Sequence, residues 1–250
     1  MTVNDQTNSD ASTAVNVVDR DAWHAARLAH LEEEKAFTRQ RDELSRKRRS
    51  LPWLEITEDY RFAGPAGEVG LLDLFDGRGQ LLVYHFMMGP DWEEGCPSCS
   101  FWADNYNGTE AHLAARDTAL VAVARTSVDD IARYQARMGW TFPWYSSLGS
   151  SFNYDMGVSF TDEQMASGEK SYNYGTLAAF GEESPGISIF ARGQGTDDRD
   201  RVFLTYQTFS RGLDMLNGAY HMLDLTPKGR DEQDLPWGMA WLRRHDQYED

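Results

Sequence analysis

The sequence predicts an α/β fold: a sheet flanked by helices, with a long helix added on the N-terminal side. Three observations carry this. Strand and helix patterns alternate along the chain and end in a hairpin. Two apolar runs, 81–88 and 120–124, have the length and content of strands buried on both faces of a sheet. A stretch from Asp21 to about Arg49 holds no Gly or Pro and repeats Trp23, Leu28, Leu31, Phe37 and Leu44 at roughly helical spacing.

Composition bounds the function. The 250 residues are 41% hydrophobic and 26% charged, as in soluble globular proteins, and can bury a core without covalent staples. A net charge of −16 opposes phosphate backbones and anionic lipid surfaces, so neither nucleic acid nor membrane is an expected partner. With only two cysteines, Cys96 and Cys99, a disulfide scaffold is excluded, as is a four-cysteine zinc site. No apolar stretch approaches the roughly 20 residues needed to span a bilayer, and the N-terminus lacks a signal-peptide pattern. These features predict a cytoplasmic protein.

Residues 1–18 are polar and poor in large apolar groups, the composition of a disordered tail. The helix follows within 19–50, with Asp19 or Asp21 as its cap. Its basic end, Arg46-Lys47-Arg48-Arg49, suits the negative helix pole, and Pro52 stops it. The main domain is expected over 51–230. Short strands are read at Tyr60–Phe62 and Leu71–Phe75, before a turn at Asp76-Gly77-Arg78-Gly79. The buried strand Leu81–Met88 ends at Gly89-Pro90. Helices are expected at about 98–105 and 110–117, then a buried strand at 120–124. A Ser127-capped helix runs to Gly139, and Trp140–Trp144 leads back to the sheet. A short helix at 162–167, strands at 186–190 and 202–206 and a closing helix at 214–223 complete the domain. An acidic tail, 231–250, is expected to pack on or near it.

Cys96 and Cys99 stand three apart, just after a buried strand and at the opening of a helix. A helix start offers unpaired N–H groups and a positive pole, which favour the nucleophilic thiolate. Helical spacing sets the second sulfur beside the first. Cys96 can therefore attack a disulfide and Cys99 can release the mixed disulfide. Pro97 fits the first helical turn, where its missing N–H costs nothing, and it is a candidate substrate contact. Zinc is the chemical rival, but two cysteines supply half of its four ligands and no histidine stands at finger spacing. No metal is expected. Asp91, Glu93 and Glu94 oppose thiolate formation, and the sequence leaves open which effect wins. His85, in the preceding strand, has a pKa suited to accepting a cysteine proton; the alternative is a buried histidine satisfied by backbone. Trp92, with Trp102, Trp140 and Trp144, can line a substrate groove or belong to the core. Arg125 can orient an anionic group or be solvated. Tyr172-Asn173-Tyr174 is read as a loop able to cover the site.

The order of strand, Cys-x-x-Cys at a helix start, strand, helix and Pro-led hairpin resembles the thioredoxin fold, and the middle of the chain resembles its peroxiredoxin-like variant. From about Trp23 to Tyr248 the chain resembles the bacterial thioredoxin-like domain-of-unknown-function family 899, whose members are labelled dithiol–disulfide oxidoreductases. The segments that carry this are Leu51-Pro52-Trp53, Tyr84-His85-Phe86-Met87 with Gly89-Pro90, and Gly95-Cys96-Pro97-Ser98-Cys99-Ser100. Further on they are Arg137-Met138-Gly139-Trp140 with Phe142-Pro143-Trp144, Asp224 with Pro227-Lys228-Gly229-Arg230, and Arg243-Arg244-His245-Asp246. The resemblance implies that Pro185 is a cis-proline presenting the Ser184 backbone to substrate. Two departures stand out: Pro-Ser replaces thioredoxin's Gly-Pro between the cysteines, and Glu94 and Pro97 occupy the places of the peroxiredoxin Thr and Cys.

The expected function is thiol–disulfide exchange, with catalytic Cys96, Cys99 and His85 and substrate contacts at Trp92, Pro97, Ser184 and Pro185. No cofactor is expected, because the sulfur pair carries two electrons itself. The partners are a thiol or disulfide substrate and a separate reductant; the oligomeric state is open. The alternatives are a thiol-dependent peroxidase using the same pair and a non-catalytic binding module.

Overall fold

The computed structural model describes residues 15–168, 171–179, 181–195 and 198–249. The chain divides into two units, Met1–Ser50 and Leu51–Asp250. In the first, the Asp19 carboxylate accepts the Ala22 N–H at 2.8 Å and so caps helix α1 (Arg20–Arg48). Arg46, Lys47 and Arg48 occupy its last turn, and Arg46 pairs with Glu43 at 2.7 Å. The tail expected over 1–18 lies outside the described residues as far as residue 14; residues 15–19 carry no regular structure.

The second unit contains, in chain order, β1 (Leu54–Ile56), β2 (Arg61–Gly64), β3 (Gly67–Gly70), β4 (Gln80–His85), α2 (Pro97–Ala103), α3 (Glu110–Ala114) and β5 (Thr118–Ala124). It continues with α4 (Val128–Met138), β6 (Trp144–Ser146), α5 (Phe152–Asp155), α6 (Asp162–Ser167), β7 (Gly186–Arg192), β8 (Val202–Phe209) and α7 (Gly218–Leu223). The strands form one sheet in the order β1-β8-β7-β4-β5-β6-β2-β3. β4, β5 and β6 run parallel, and β7 and β8 join antiparallel beside β4.

Alternate side chains of the central strands feed two cores, as the two-residue strand period requires. Tyr84, Phe86, Leu120, Ala122 and Ile187 face Cys99, Trp102, Tyr134 and Tyr220. Leu81, Val83, Val121, Val123 and Phe190 face Phe75, Phe152, Met156 and Tyr172. α4 joins the first core through Ile131, Tyr134 and Met138; Ser127 caps its start and Gly139, at φ 65°, its end. A central parallel strand followed by a cysteine-bearing helix, with an antiparallel hairpin on its other side, is the thioredoxin-like arrangement.

Several expectations are corrected. Leu71–Phe75 is not a strand: Asp73–Phe75 form a 3-10 turn, because Leu71, Leu74 and Phe75 are all buried, a spacing that a strand cannot present to one face. The Asp73 carboxylate accepts the Gly70 N–H at 2.8 Å and fixes that turn. The closing helix is broken at Asn217, whose side chain accepts the Tyr220 N–H at 2.9 Å and starts α7 anew. The apolar run 81–88 is strand only to His85, and its neighbours are one parallel and one antiparallel strand. β1 and β3 add edge strands that the sequence did not signal.

Candidate active site

The site is built at the end of β4. Phe86 continues the ladder, its N–H donating to Val123 at 2.9 Å. The chain then loops through 88–95 and returns, so that the Cys96 N–H donates to the Met87 carbonyl at 3.0 Å. Gly95 permits this return, because a Cβ there would stand 2.5 Å from Phe86 Cε1 and 2.8 Å from Tyr134 Cε1. Cys96 is the N-cap residue of α2 and Pro97 its first helical residue.

Both cysteines stand at the start of α2. Cys99 is buried and Cys96 half-buried. The Cys99 side chain is the largest influence holding the Cys96 pKa down, to about 6. Burial works against this, and the Ser98 and Cys99 N–H groups add to it. Burial pushes the Cys99 thiol well up, and a negative charge on Cys96 pushes it further. The Tyr84 hydroxyl, from β4, donates to the Cys99 carbonyl at 3.1 Å. Within the acidic loop, the charge of Glu94 is offset by Arg137 and, at 2.7 Å, by Arg244.

The remaining candidates divide. His85 points to the opposite face of the sheet, stacked near Phe152 and bonded through Nε2 to Ser188 Oγ at 2.7 Å. Burial lowers its pKa to about 3, so it is a neutral core residue placed away from the sulfurs. Strand alternation explains this: Tyr84 and Phe86 take the cysteine face, so His85 cannot. Trp92 lies in the cysteine loop, and its Nε1 donates to Glu182 at 2.7 Å. That bond ties the loop to the segment carrying Ser184 and Pro185. Gly186 pairs with His85 in the sheet, so Ser184 and Pro185 stand at the end of β4 from which the cysteine loop departs. The cis-proline implied by resemblance is corrected: no described peptide bond is cis. The extended chain here is held by Ser184 N–H donating to Val158 at 2.8 Å and Tyr172 Oη donating to the Pro185 carbonyl. Tyr172 is thus a buried anchor beneath this segment. Trp102, Trp140 and Trp144 are core residues.

Sequence reasoning missed two features. Arg125 is not solvated: its Nε donates to Glu183 at 2.5 Å, with Glu182 at 3.7 Å. Glu183 is 2% exposed and accepts Ser159 Oγ at 2.7 Å. The second is an open cleft of about 410 Å³ beside the cysteine loop, lined by Glu93, Glu94, Arg133, Tyr134 and Arg137. Its residues come from two segments whose approach no local pattern reveals. Among the described residues, no group of three or more His, Cys, Asp or Glu is placed to hold a metal, and no helix is long and apolar enough to cross a membrane.

No curated protein matches the chain. Among solved structures, it is similar to the peroxidoxin BcpB of Mycobacterium tuberculosis, with a TM-score of 0.45 and 13% identity over 66% of this chain and 92% of that one. It is also similar to the bacterioferritin comigratory protein of Xanthomonas campestris, with a TM-score of 0.43 and 13% identity over 68% and 96%. Residues 12–248 match a family described as bacterial protein of unknown function, DUF899. Covering nearly all of the sequence, that match establishes that the chain belongs to the DUF899 family.

Proposed function

We propose that this chain is a thiol–disulfide oxidoreductase in which Cys96 attacks and Cys99 resolves. The observation that carries the reading is the placing of Cys96 at the N-cap of α2 with Cys99 in its first turn, which the lowered pKa of Cys96 and the raised one of Cys99 support. A thiolate near neutral pH is the attacking species, and a thiol held against it is positioned to displace it.

The Cys96 thiolate attacks one sulfur of a substrate disulfide. A Cys96–substrate bond forms, the substrate S–S bond breaks, and one substrate thiolate leaves. That thiolate takes the Cys99 proton. Cys99 then attacks the Cys96 sulfur, forming the Cys96–Cys99 disulfide and releasing the second substrate thiolate, which is protonated from solvent. The substrate gains two electrons and the cysteine pair loses two. A separate dithiol reductant restores the pair. Trp92 and the Ser184–Pro185 segment, joined to the cysteine loop through Glu182, flank the approach and are proposed to contact the substrate alongside Pro97.

The test is turnover of a small disulfide by the reduced protein. Cys96→Ser is expected to abolish it, and Cys99→Ser is expected to accumulate a mixed disulfide visible by mass spectrometry. Undiminished exchange by Cys96→Ser would refute the assignment. Rapid consumption of hydrogen peroxide, with sulfenic acid trapped on Cys96, would move the chemistry to peroxide reduction.

A further inference from the structure

Arg244 lies 149 positions after Gly95, yet its guanidinium closes on the turn that carries Cys96. Nε and Nη2 donate to the Gly95 carbonyl at 3.1 and 2.7 Å. Nη1 pairs with Glu94 at 2.7 Å. Nε also donates to the Tyr134 hydroxyl at 3.0 Å. Tyr134 in turn bonds Ser100 Oγ at 2.8 Å, and Ser100 Oγ donates to the Cys96 carbonyl at 2.9 Å. The carbonyls on both sides of the Cys96 α-carbon are therefore tied into one network that ends on Arg244.

The next two residues extend the hold. His245 Nδ1 is 2.8 Å from Asp104, the residue that ends α2. Asp246 pairs at 2.7 Å with Arg137, which also engages Glu94. The Arg244-His245-Asp246 run thus grips the start of α2, its end and the neighbouring α4.

We propose that Arg244 is a positioning residue for Cys96, holding the turn so that the Cys96 sulfur stays at the N-terminal end of α2. The proposal rests on the redox reading for its purpose, but its geometry concerns the Cys96 turn alone. A forked guanidinium can bind Gly95 and Tyr134 together while pairing with Glu94; a lysine offers charge without the fork, and a glutamine offers neither. The titratable groups around the sulfurs and their turn include Cys99 from α2, Tyr84 from β4, Tyr106 after α2, Tyr134 from α4, Tyr172 before β7, Glu94 in the loop and Arg244 itself. Loss of Arg244 both loosens the turn and leaves Glu94 less neutralised.

The experiment follows alkylation of Cys96 by iodoacetamide against pH in the full-length reduced protein, reading the Cys96 peptide by mass. Arg244→Gln is expected to raise the midpoint by about half a pH unit or more, roughly a threefold loss of thiolate below the midpoint, with the high-pH plateau kept. Arg244→Lys should fall between Gln and wild type. Arg243→Gln is the control, because Arg243 donates to the Ala240 and Leu242 carbonyls within its own segment; it should superimpose on wild type. An unmoved midpoint in Arg244→Gln overturns the proposal, as does an equal shift in Arg243→Gln. Should Arg244→Gln not fold, Arg244→Lys decides by the same criterion. Undiminished exchange in Cys96→Ser would remove the attacking role of Cys96 while leaving the Arg244-dependent midpoint as it stands, so the two failures are distinguishable.

Discussion

Cys96 and Cys99 share one helical turn yet titrate in opposite directions, because one sulfur receives hydrogen bonds and the other is sealed from water. This gives the reduced protein a pH signature. The folded Cys96 pKa lies near 6, below its ordinary value of 9.0, so its ionisation adds stability as pH rises through that window and the contribution fades as pH falls toward 6. Cys99 stays protonated over the same range, lowers stability only as pH nears its ordinary value of 9.0, and is present in both proteins compared below. The Tm gap between the reduced wild type and Cys96→Ser is therefore expected to widen from pH 6 to pH 9; a gap independent of pH would contradict the assigned thiolate. The cysteine pair was legible in the sequence because spacing and a preceding apolar run suffice to place it. The orientation of His85 is less legible, although it stands in period-two relation to Tyr84 and Phe86. A continuous apolar run hides which residues face which core, since both faces are buried.

At the scale of elements, the Arg125–Glu183 pair joins the end of β5 to the segment that opens β7. Arg125 is 11% and Glu183 2% exposed at their side chains. Removing one partner leaves the other charge buried and unpaired, which costs about 3 kcal/mol or more. Arg125→Met is expected to lower unfolding stability in urea by that order, and the double variant Arg125→Met with Glu183→Gln to recover part of it. A double-variant loss equal to the sum of the Arg125→Met and Glu183→Gln losses would mean the pair is not coupled. No sequence signal announced this bond, because its partners are 58 residues apart and each is individually typical of a solvated surface. The helices were more legible: Ser127 and Gly139 delimit α4 by the chemistry of their caps. The strand expected at 71–75 failed for a local reason, since Asp73 bonds back to Gly70 and a compact turn outcompetes extension.

For the whole molecule, a net charge of −16 sets a field that any visiting substrate must cross. Disulfide exchange with a cationic peptide is expected to be faster than with an anionic one at low ionic strength, and the difference to shrink as salt rises to about 0.15 M, where the screening length is roughly 8 Å. Stopped-flow rates for a matched peptide pair check this; a salt-independent ratio would show that the field does not govern encounter. The alternation of strands and helices gave the fold class because each central strand reads as a buried run. The edges did not, since β1 and β3 are short and exposed. The bond from Arg244 to the Gly95 carbonyl spans 149 positions, and it has a consequence for biosynthesis. A ribosome adds about 5–20 residues per second, so the nascent chain carries Cys96 for many seconds before the guanidinium proposed to brace it has been translated. Throughout that interval the sulfur lacks its final support, which a segment translated much later completes.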